Sequence, residues 1–226
     1  MSNPNYNLLG SGSGGNCIIY RKELCVDMGV KYDLIKEYLK DLRYIFMTHW
    51  HKDHFNKVTI KKIVKDYPFM IFVCGEHFVD LLDSVGVSRD VMFICNVGEV
   101  YDFGSFKFSP VMLYHDVPNL GYRFVFKSDG YRILHATDTA HLDGIIAKGY
   151  DLYALESNYD ELRIEKEIEE KLANGEFAYE IGAKNSHLSF QQTADFFNKM
   201  KSDNSELLKL HISHKYKGEQ HENNQV

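Results

Sequence analysis

Three histidines and an aspartate crowd the segment THWHKDH: His49, His51, Asp53 and His54. Imidazole nitrogens mixed with a carboxylate suit Zn²⁺ or Mn²⁺. His49 and His51 stand two apart behind the apolar run RYIFM, so in extended backbone both rings can point to one side. Asp53 and His54 follow where the chain turns toward a helix, and can address a second, adjacent site. One ion is satisfied by about four ligands, so this cluster together with distant partners suggests two ions. The bland alternative is a chance gathering of surface histidines. With 11 histidines in the chain one neighbouring pair is unremarkable, but the block H-x-H-x-D-H is far more specific.

Partners are expected where other apolar runs break. His115 follows VMLY, Asp138 follows RILHAT, and His211 follows LLKL. His187 precedes a helix for which Ser189 is the expected N-cap. Each alone reads as an ordinary polar residue; the repeated order of apolar strand, His or Asp, then loop gathers them along sheet edges. His135 reads as a residue inside its strand, His77, His141 and His221 lack comparable context, and His214 is ambiguous.

The elements that must position these residues follow from periodicity. YNLL, CIIYR and ELCVDMG read as three strands, YDLIKEYLKDL as a helix, and RYIFMTH as a buried strand. KVTIKKIVKDY and EHFVDLLDSVG read as helices flanking the strand FMIFVCG. Four β-like segments occupy residues 99–136. LDGIIAKG then reads as a return to helix, DLYALES as a strand, residues 160–173 and SFQQTADFFNKMK as helices, and LLKLHIS as a last strand. The glycine-rich GSGSGGNC has no Lys followed by Ser or Thr and leads into a strand, so a tight strand-to-strand turn is preferred over a phosphate loop. Lys57, Lys61, Lys62 and Lys65 read as a solvated helix face, with guidance of a phosphate backbone as the alternative.

Composition bounds the rest. The 226 residues, 44% hydrophobic and 14% aromatic, are enough for one packed domain, expected over residues 1–216 with a polar tail at 217–226. A formal charge of −6 argues against a broad nucleic-acid-coating surface. The four cysteines lack C-x-x-C spacing and read as core residues in a reducing compartment; with no secretory signal or membrane span evident, a cytoplasmic location is expected.

THWHKDH, the lone His115, TDTA with Asp138 and the terminal HISHKY together resemble, in order, the motifs of the metallo-β-lactamase fold. The resemblance implies an α/β fold, an αβ/βα four-layer sandwich of two mixed β-sheets flanked by helices. It implies that His49, His51 and His115 hold one divalent ion, that Asp53, His54 and His211 hold another, and that Asp138 bridges them. Asp27, closing LCVDMG, falls where the fold has an aspartate that orients the histidine loop. The implied cofactors are two divalent ions, Zn or Mn, about 3.5–4 Å apart, which lower the pKa of a shared water. No cysteine stands at Asp138 and no glutamate at His51, departures that disfavour the β-lactam-hydrolysing and oxygen-reducing branches.

Glu156 in LYALES and His187 in NSHLS resemble the glutamate and non-ligand histidine of the fold's phosphodiesterases, where the histidine helps protonate the leaving group. The intervals between these motifs leave no room for the long arm of a tRNase Z or for a β-CASP insertion. SGSGGNC, ESNYD and HLS are similar to segments of the compact WalJ/YycJ-type exonucleases, although FNKV lacks their glycine and the C-terminus lacks their asparagine-rich ending. The resemblance implies a dinuclear metal-dependent phosphodiesterase acting 5′→3′ on DNA, with catalytic contributions from His187, Glu156 and Asp53. The substrate expected is nucleic acid, DNA ahead of RNA, with no membrane partner and the oligomeric state left open. A hydrolase of small esters, lactones or thioesters on the same metals is the runner-up, and a non-catalytic metal-binding module comes third.

Overall fold

The computed structural model describes residues 3–216, so the polar tail and His221 lie outside the described residues. The chain divides into two compact units, Met1–Asn96 and Val97–Val226. Each is built on a mixed six-stranded sheet with its own helices.

In the first unit the strands β1 (Tyr6–Gly10), β2 (Cys17–Tyr20), β3 (Leu24–Val26), β4 (Tyr44–Phe46), β5 (Ile71–Cys74) and β6 (Met92–Ile94) lie in chain order across the sheet. β1 to β3 pair antiparallel and β3 to β6 pair parallel. Parallel neighbours need crossovers, which here carry α1 (Tyr32–Ile35), α2 (Lys57–Asp66) and α3 (Val79–Ser84). CIIY and LCV are buried at every position, as continuous apolar strands covered on both faces should be. Ile19, Cys25, Ile45 and Phe72 of the sheet share a core with Ile35, Ile60, Ile63 and Leu82 of the helices.

α2 begins at residue 57 because the Asn56 side chain accepts from Val58 N and Thr59 N, both at 3.1 Å. It buries Thr59, Ile60 and Ile63, and full burial of each isoleucine contributes about 1.5–3 kcal/mol. Lys57, Lys61, Lys62 and Lys65 are exposed on the opposite face, as a solvated helix face requires. The expected helix over YDLIKEYLKDL is shorter than its periodicity suggested. Only Tyr32–Ile35 is α-helical; successive turns then run from Tyr38 N to Ile35 O and from Asp41 N to Tyr38 O. Those turns still bury Ile35, Leu39 and Leu42, so the apolar spacing is kept without the helix.

In the second unit the strands are β7 (Tyr101–Asp102), β8 (Phe106–Leu113), β9 (Asn119–Phe126), β10 (Arg132–Ala136), β11 (Leu152–Glu156) and β12 (Glu206–Leu210). They lie in the order β12-β11-β10-β9-β8-β7, antiparallel from β7 to β10 and parallel from β10 to β12. β8 alternates buried Phe106 and Phe108 with outward Lys107, while every residue of β11 is buried. Pro110 is tolerated in β8 because β7 pairs only with Lys107 and Phe108, leaving that stretch an edge where no backbone donor is needed. The helices are α4 (Glu161–Ala173), α5 (Glu180–Ser186) and α6 (Phe190–Met200). Phe196, Phe197 and Met200 of α6 pack on a cluster containing Leu134, Tyr153 and Leu155.

The expected helix at LDGIIAKG is absent. Gly144 and Gly149 take φ of 78° and 68°, outside helical geometry, and the four residues between them are too few to sustain a helix. α5 and β6 were not foreseen. Among the described residues no helix is long and apolar enough to cross a membrane.

In each unit the residues singled out above follow the C-terminal ends of strands that run in one direction. Asp27 follows β3 and the histidine loop follows β4; in the second unit His115, Asp138 and His211 follow β8, β10 and β12, and Glu156 ends β11. One edge of each sheet therefore gathers the chemistry.

Candidate metal centre

In the first unit Met47 N still bonds Val73 O, and the chain then leaves the sheet. His54 N and Phe55 N both return to His51 O, at 2.9 and 2.8 Å, so residues 51–55 close a single turn before Asn56 starts α2. This turn gathers the three imidazoles. The rings of His49 and His54 lie 4.1 Å apart and those of His49 and His51 lie 4.7 Å apart, centroid to centroid. His49 and His54 are fully buried, whereas Asp53 keeps 22% of its side chain exposed.

Asp27 organises the loop from beneath. Its Oδ1 accepts from Thr48 N at 2.9 Å, the Thr48 hydroxyl donates to the same carboxylate, and His54 Nδ1 lies 2.6 Å from Oδ2. Thr48 Oγ1, its one proton committed to Asp27, accepts from His49 Nδ1 at 3.0 Å. The hydrogen-bond pattern thus assigns the Nδ1–H tautomer to both His49 and His54, leaving each Nε2 with its lone pair, as a metal ligand requires. His77, without obvious context in the sequence, lies under the same loop with Nε2 3.4 Å from Thr48 O.

In the second unit His115 donates Nδ1–H to Ser186 O at 2.9 Å, which again leaves Nε2 as the acceptor. Burial is the largest influence on this ring and holds its pKa below the usual imidazole value, favouring the neutral form that binds metals. Asp138 is buried at φ 55°, and its main-chain carbonyl is held by Asn119 Nδ2 at 2.6 Å. His211 Nδ1 is in close contact with Asp138 Oδ1. Asp138, Glu156, His187 and His211 offer ligand-type atoms that all lie within 4.8 Å of one another.

Glu156 uses its two oxygens differently. Oε2 accepts from Thr139 N at 2.9 Å and Leu188 N at 3.2 Å, fixing the segments that follow Asp138 and His187. Oε1 lies 2.5 Å from His187 Nδ1 and 3.2 Å from His211 Nδ1. Burial acts to raise the carboxyl pKa, but the histidines outweigh it and the group sits below the usual carboxylate range. Burial likewise acts to lower the His187 pKa, and Glu156 reverses it to a net increase. Glu156 thus favours the protonated ring, whose Nδ1 it engages, and 19% of the His187 side chain is exposed. It caps α5, and Ser189 starts α6 as expected, in a reciprocal capping box with Gln192.

Every site residue expected from the sequence falls into one of these two clusters: Asp27, His49, His51, Asp53 and His54 in the first unit, and His115, Asp138, Glu156, His187 and His211 in the second. The donor chemistry fits divalent ions, being imidazole nitrogens with carboxylates and the ring tautomers set by carboxylate and carbonyl partners. The residues that hold these groups are Asn16, Thr48, His77, Asn119 and Thr139. Thr48 and Thr139 lie inside THWHKDH and TDTA and Asn16 inside GSGSGGNC, whereas nothing in the sequence marks Asn119 or gives His77 a context.

Comparison with known proteins shows the family and the fold. Residues 31–212 match the model of a family described as the beta-lactamase superfamily domain. The structure resembles that of human tRNase Z, short form, with a TM-score of 0.67 at 17% identity, covering 94% of this chain and 93% of that one. It also resembles the metallo-beta-lactamase fold protein YhfI from Bacillus subtilis, with a TM-score of 0.65 at 16% identity, covering 92% and 86%. Compared by sequence with curated proteins, the chain matches none.

Proposed function

Because the chain belongs to the beta-lactamase superfamily, matched over residues 31–212, we propose that it is a dinuclear metal-dependent phosphodiesterase acting on nucleic acid. The ligand set is His49, His51 and His115 for one ion and Asp53, His54 and His211 for the other, with Asp138 shared, in a catalytic domain taken as residues 1–216. Two bound divalent ions, Zn or Mn, would supply Lewis acidity and bring the pKa of a water toward neutrality.

The chain's own residues do the rest. Asp27 keeps the lone pairs of His49 and His54 available by holding the opposite nitrogens, directly or through Thr48. Ser186 O does the same for His115. His187 carries a proton at Nε2 and gives it to the departing oxygen, while Glu156 Oε1 holds Nδ1–H and stabilises the charged ring. That pair is the observation that carries the reading. A phosphodiester with an alkoxide leaving group needs an acid, whereas a metal-storage site has no use for an imidazolium beside its ligands.

DNA 5′ ends come first among substrates, on the resemblance of SGSGGNC, ESNYD and HLS to the WalJ/YycJ-type exonucleases, and the four buried free cysteines support a reducing, cytoplasmic setting. The likeness to a tRNase Z brings RNA into the assay. End-labelled single- and double-stranded DNA and RNA are to be digested with Mn²⁺ or Zn²⁺, beside an Asp53→Ala control. Metal-dependent release of 5′ nucleotides that disappears in the control is the expected result. Turnover of an aryl ester with no cleavage of any nucleic acid or of bis(p-nitrophenyl) phosphate would transfer the site to small-molecule ester hydrolysis.

A further inference from the structure

The glycine-rich stretch GSGSGGNC joins β1 to β2, but it is not a minimal turn. Residues 11–16 fold back onto the histidine loop. Asn16 N bonds Asp53 O at 2.6 Å, Asn16 O accepts from Gly29 N at 2.9 Å, and Met28 N bonds His54 O at 2.9 Å. The approach is so close that a Cβ on Gly29 would fall 1.7 Å from Asp53 O, and one on Gly15 would fall 2.7 Å from Gly29 O. This packing explains why glycines are needed here without any phosphate to hold.

The Asn16 side chain, 7% exposed, is the part aimed at the site. Its Oδ1 accepts from Gly12 N at 2.7 Å, which fixes the orientation of the amide. Its Nδ2 then faces His54 Nε2 at 2.8 Å, Asp53 Oδ2 at 3.1 Å, and the carbonyls of Asp53 and Gly12 at 3.2 Å. Two N–H bonds are thus shared among four acceptors, two of which are the atoms offered to the second ion.

We infer that Asn16 is a positioning residue for the second ion, holding Asp53 and His54 in register so that the glycine-rich loop governs whether that ion binds. The inference rests on the ligand set proposed above. An ion that takes the His54 Nε2 lone pair leaves the amide its bonds to Asp53, so the clasp survives loading and the carboxylate stays oriented. Without the amide, Asp53 and His54 must be ordered at the ion's expense, and partners of this kind are typically worth about 10–100-fold in metal affinity.

The test is a Mn²⁺ titration of the metal-free full chain, followed by calorimetry and by electron paramagnetic resonance, which separates an exchange-coupled pair from a single ion. Wild type should bind two ions and develop the pair signal. Asn16→Ala should bind the first ion as wild type does and the second about 10–100-fold more weakly, with the pair signal lost at stoichiometric metal. Gly14→Ala, in the same loop but with nothing within 4 Å of the added Cβ, should match wild type. An Asn16→Ala protein that takes up the second ion as tightly as wild type overturns the inference. So does one that loses both ions, or melts far below wild type when metal-free, because Asn16 would then serve the fold alone. A wild type that binds one ion strikes instead at the dinuclear reading, and this inference goes with it.

Discussion

Glu156→Gln separates orientation of the proposed acid from maintenance of the fold, because the two oxygens of Glu156 do different work. Both backbone donors, Thr139 N and Leu188 N, go to Oε2; both imidazoles go to Oε1. Glutamine has one acceptor oxygen, and the backbone donors dictate its placement, since a buried N–H without a partner costs about 1–3 kcal/mol. The amide NH₂ then points at the imidazoles. His211 Nδ1 retains Asp138 Oδ1 in close contact. His187 Nδ1 has no such substitute, because Asp138 Oδ1 is 3.8 Å away, beyond hydrogen-bonding range. The variant should fold and bind metal while His187 alone loses its anionic partner.

A hydrogen bond to a charged group contributes about 1.5–3 kcal/mol, and each 1.36 kcal/mol is about tenfold in rate, so kcat should fall about 10–150-fold. The fall must depend on the leaving group. p-Nitrophenoxide departs with little need of a proton, whereas the ribose oxygen of a nucleotide needs one, so cleavage of a dinucleotide should suffer far more than cleavage of bis(p-nitrophenyl) phosphate. kcat on both substrates at saturating metal, with metal content measured in parallel, decides the matter. An equal loss on both substrates, or a loss of bound metal, would refute the acid role and make Glu156 a purely structural anchor.

Asp27→Asn removes one of the acceptors on which the tautomers of His49 and His54 depend, and should weaken metal binding about 10–100-fold, read by titration against a competing chelator; unchanged affinity would show that the rings need no such guidance. Gly29→Ala drives a Cβ into Asp53 O and should cost about 1–3 kcal/mol or more, visible as a lower melting temperature of the metal-free protein beside an unaffected Gly14→Ala. Away from the site, burial works to raise the Glu180 pKa, but hydrogen bonds from Lys171 and Lys215 outweigh it and bring it to about 2. A depressed acid stabilises the fold above its unfolded pKa and loses that contribution as pH falls through its folded one. The melting-temperature gap between wild type and Glu180→Gln should therefore be present at neutral pH and shrink between about pH 4.5 and 2; a gap that persists at pH 2 would contradict the ion pairing.

What could be read from the sequence was whatever is local in the chain. The histidine loop was legible because its four ligand-type residues fall within six positions, α2 because its apolar spacing matches the buried Ile60 and Ile63, and α6 because its cap, Ser189, sits beside the first helical residue. α1 and LDGIIAKG misled for a related reason: apolar spacing records burial, and irregular turns bury Leu39, Leu42, Ile145 and Ala147 as well as a helix would. α5 was missed because Gly182, Asn185 and Ser186 are poor helix formers; it is tied to α4 by the Lys171–Glu180 ion pair, whose partners no helical periodicity connects. The residues that orient the ligands were invisible for a different reason. Asn16 and Asn119 are neutral, act through their amides, and reach their targets across the fold, so neither charge nor spacing marks what they hold.

Backbone geometry shows how strand ends are turned into a site. Five non-glycine residues have positive φ among the described residues, and three of them are Asp27 at 61°, Asp138 at 55° and His211 at 48°. Aspartate and histidine tolerate the left-handed region better than most residues, yet each such position still costs of order 1 kcal/mol and persists only where the surroundings over-determine it. The surroundings do so each time, through the side chain or the main-chain carbonyl. Asp27 is pinned through its side chain by Thr48 and His54, the Asp138 carbonyl by Asn119 at 2.6 Å, and the His211 carbonyl by Asn158 at 2.8 Å. A left-handed residue within two positions of a strand's end swings the chain off the sheet, so the side chain is presented at the sheet's end instead of on a face. Strain and restraint thus belong to one device: the sheet supplies the edge, the left-handed residue supplies the bend, and an asparagine or threonine holds it.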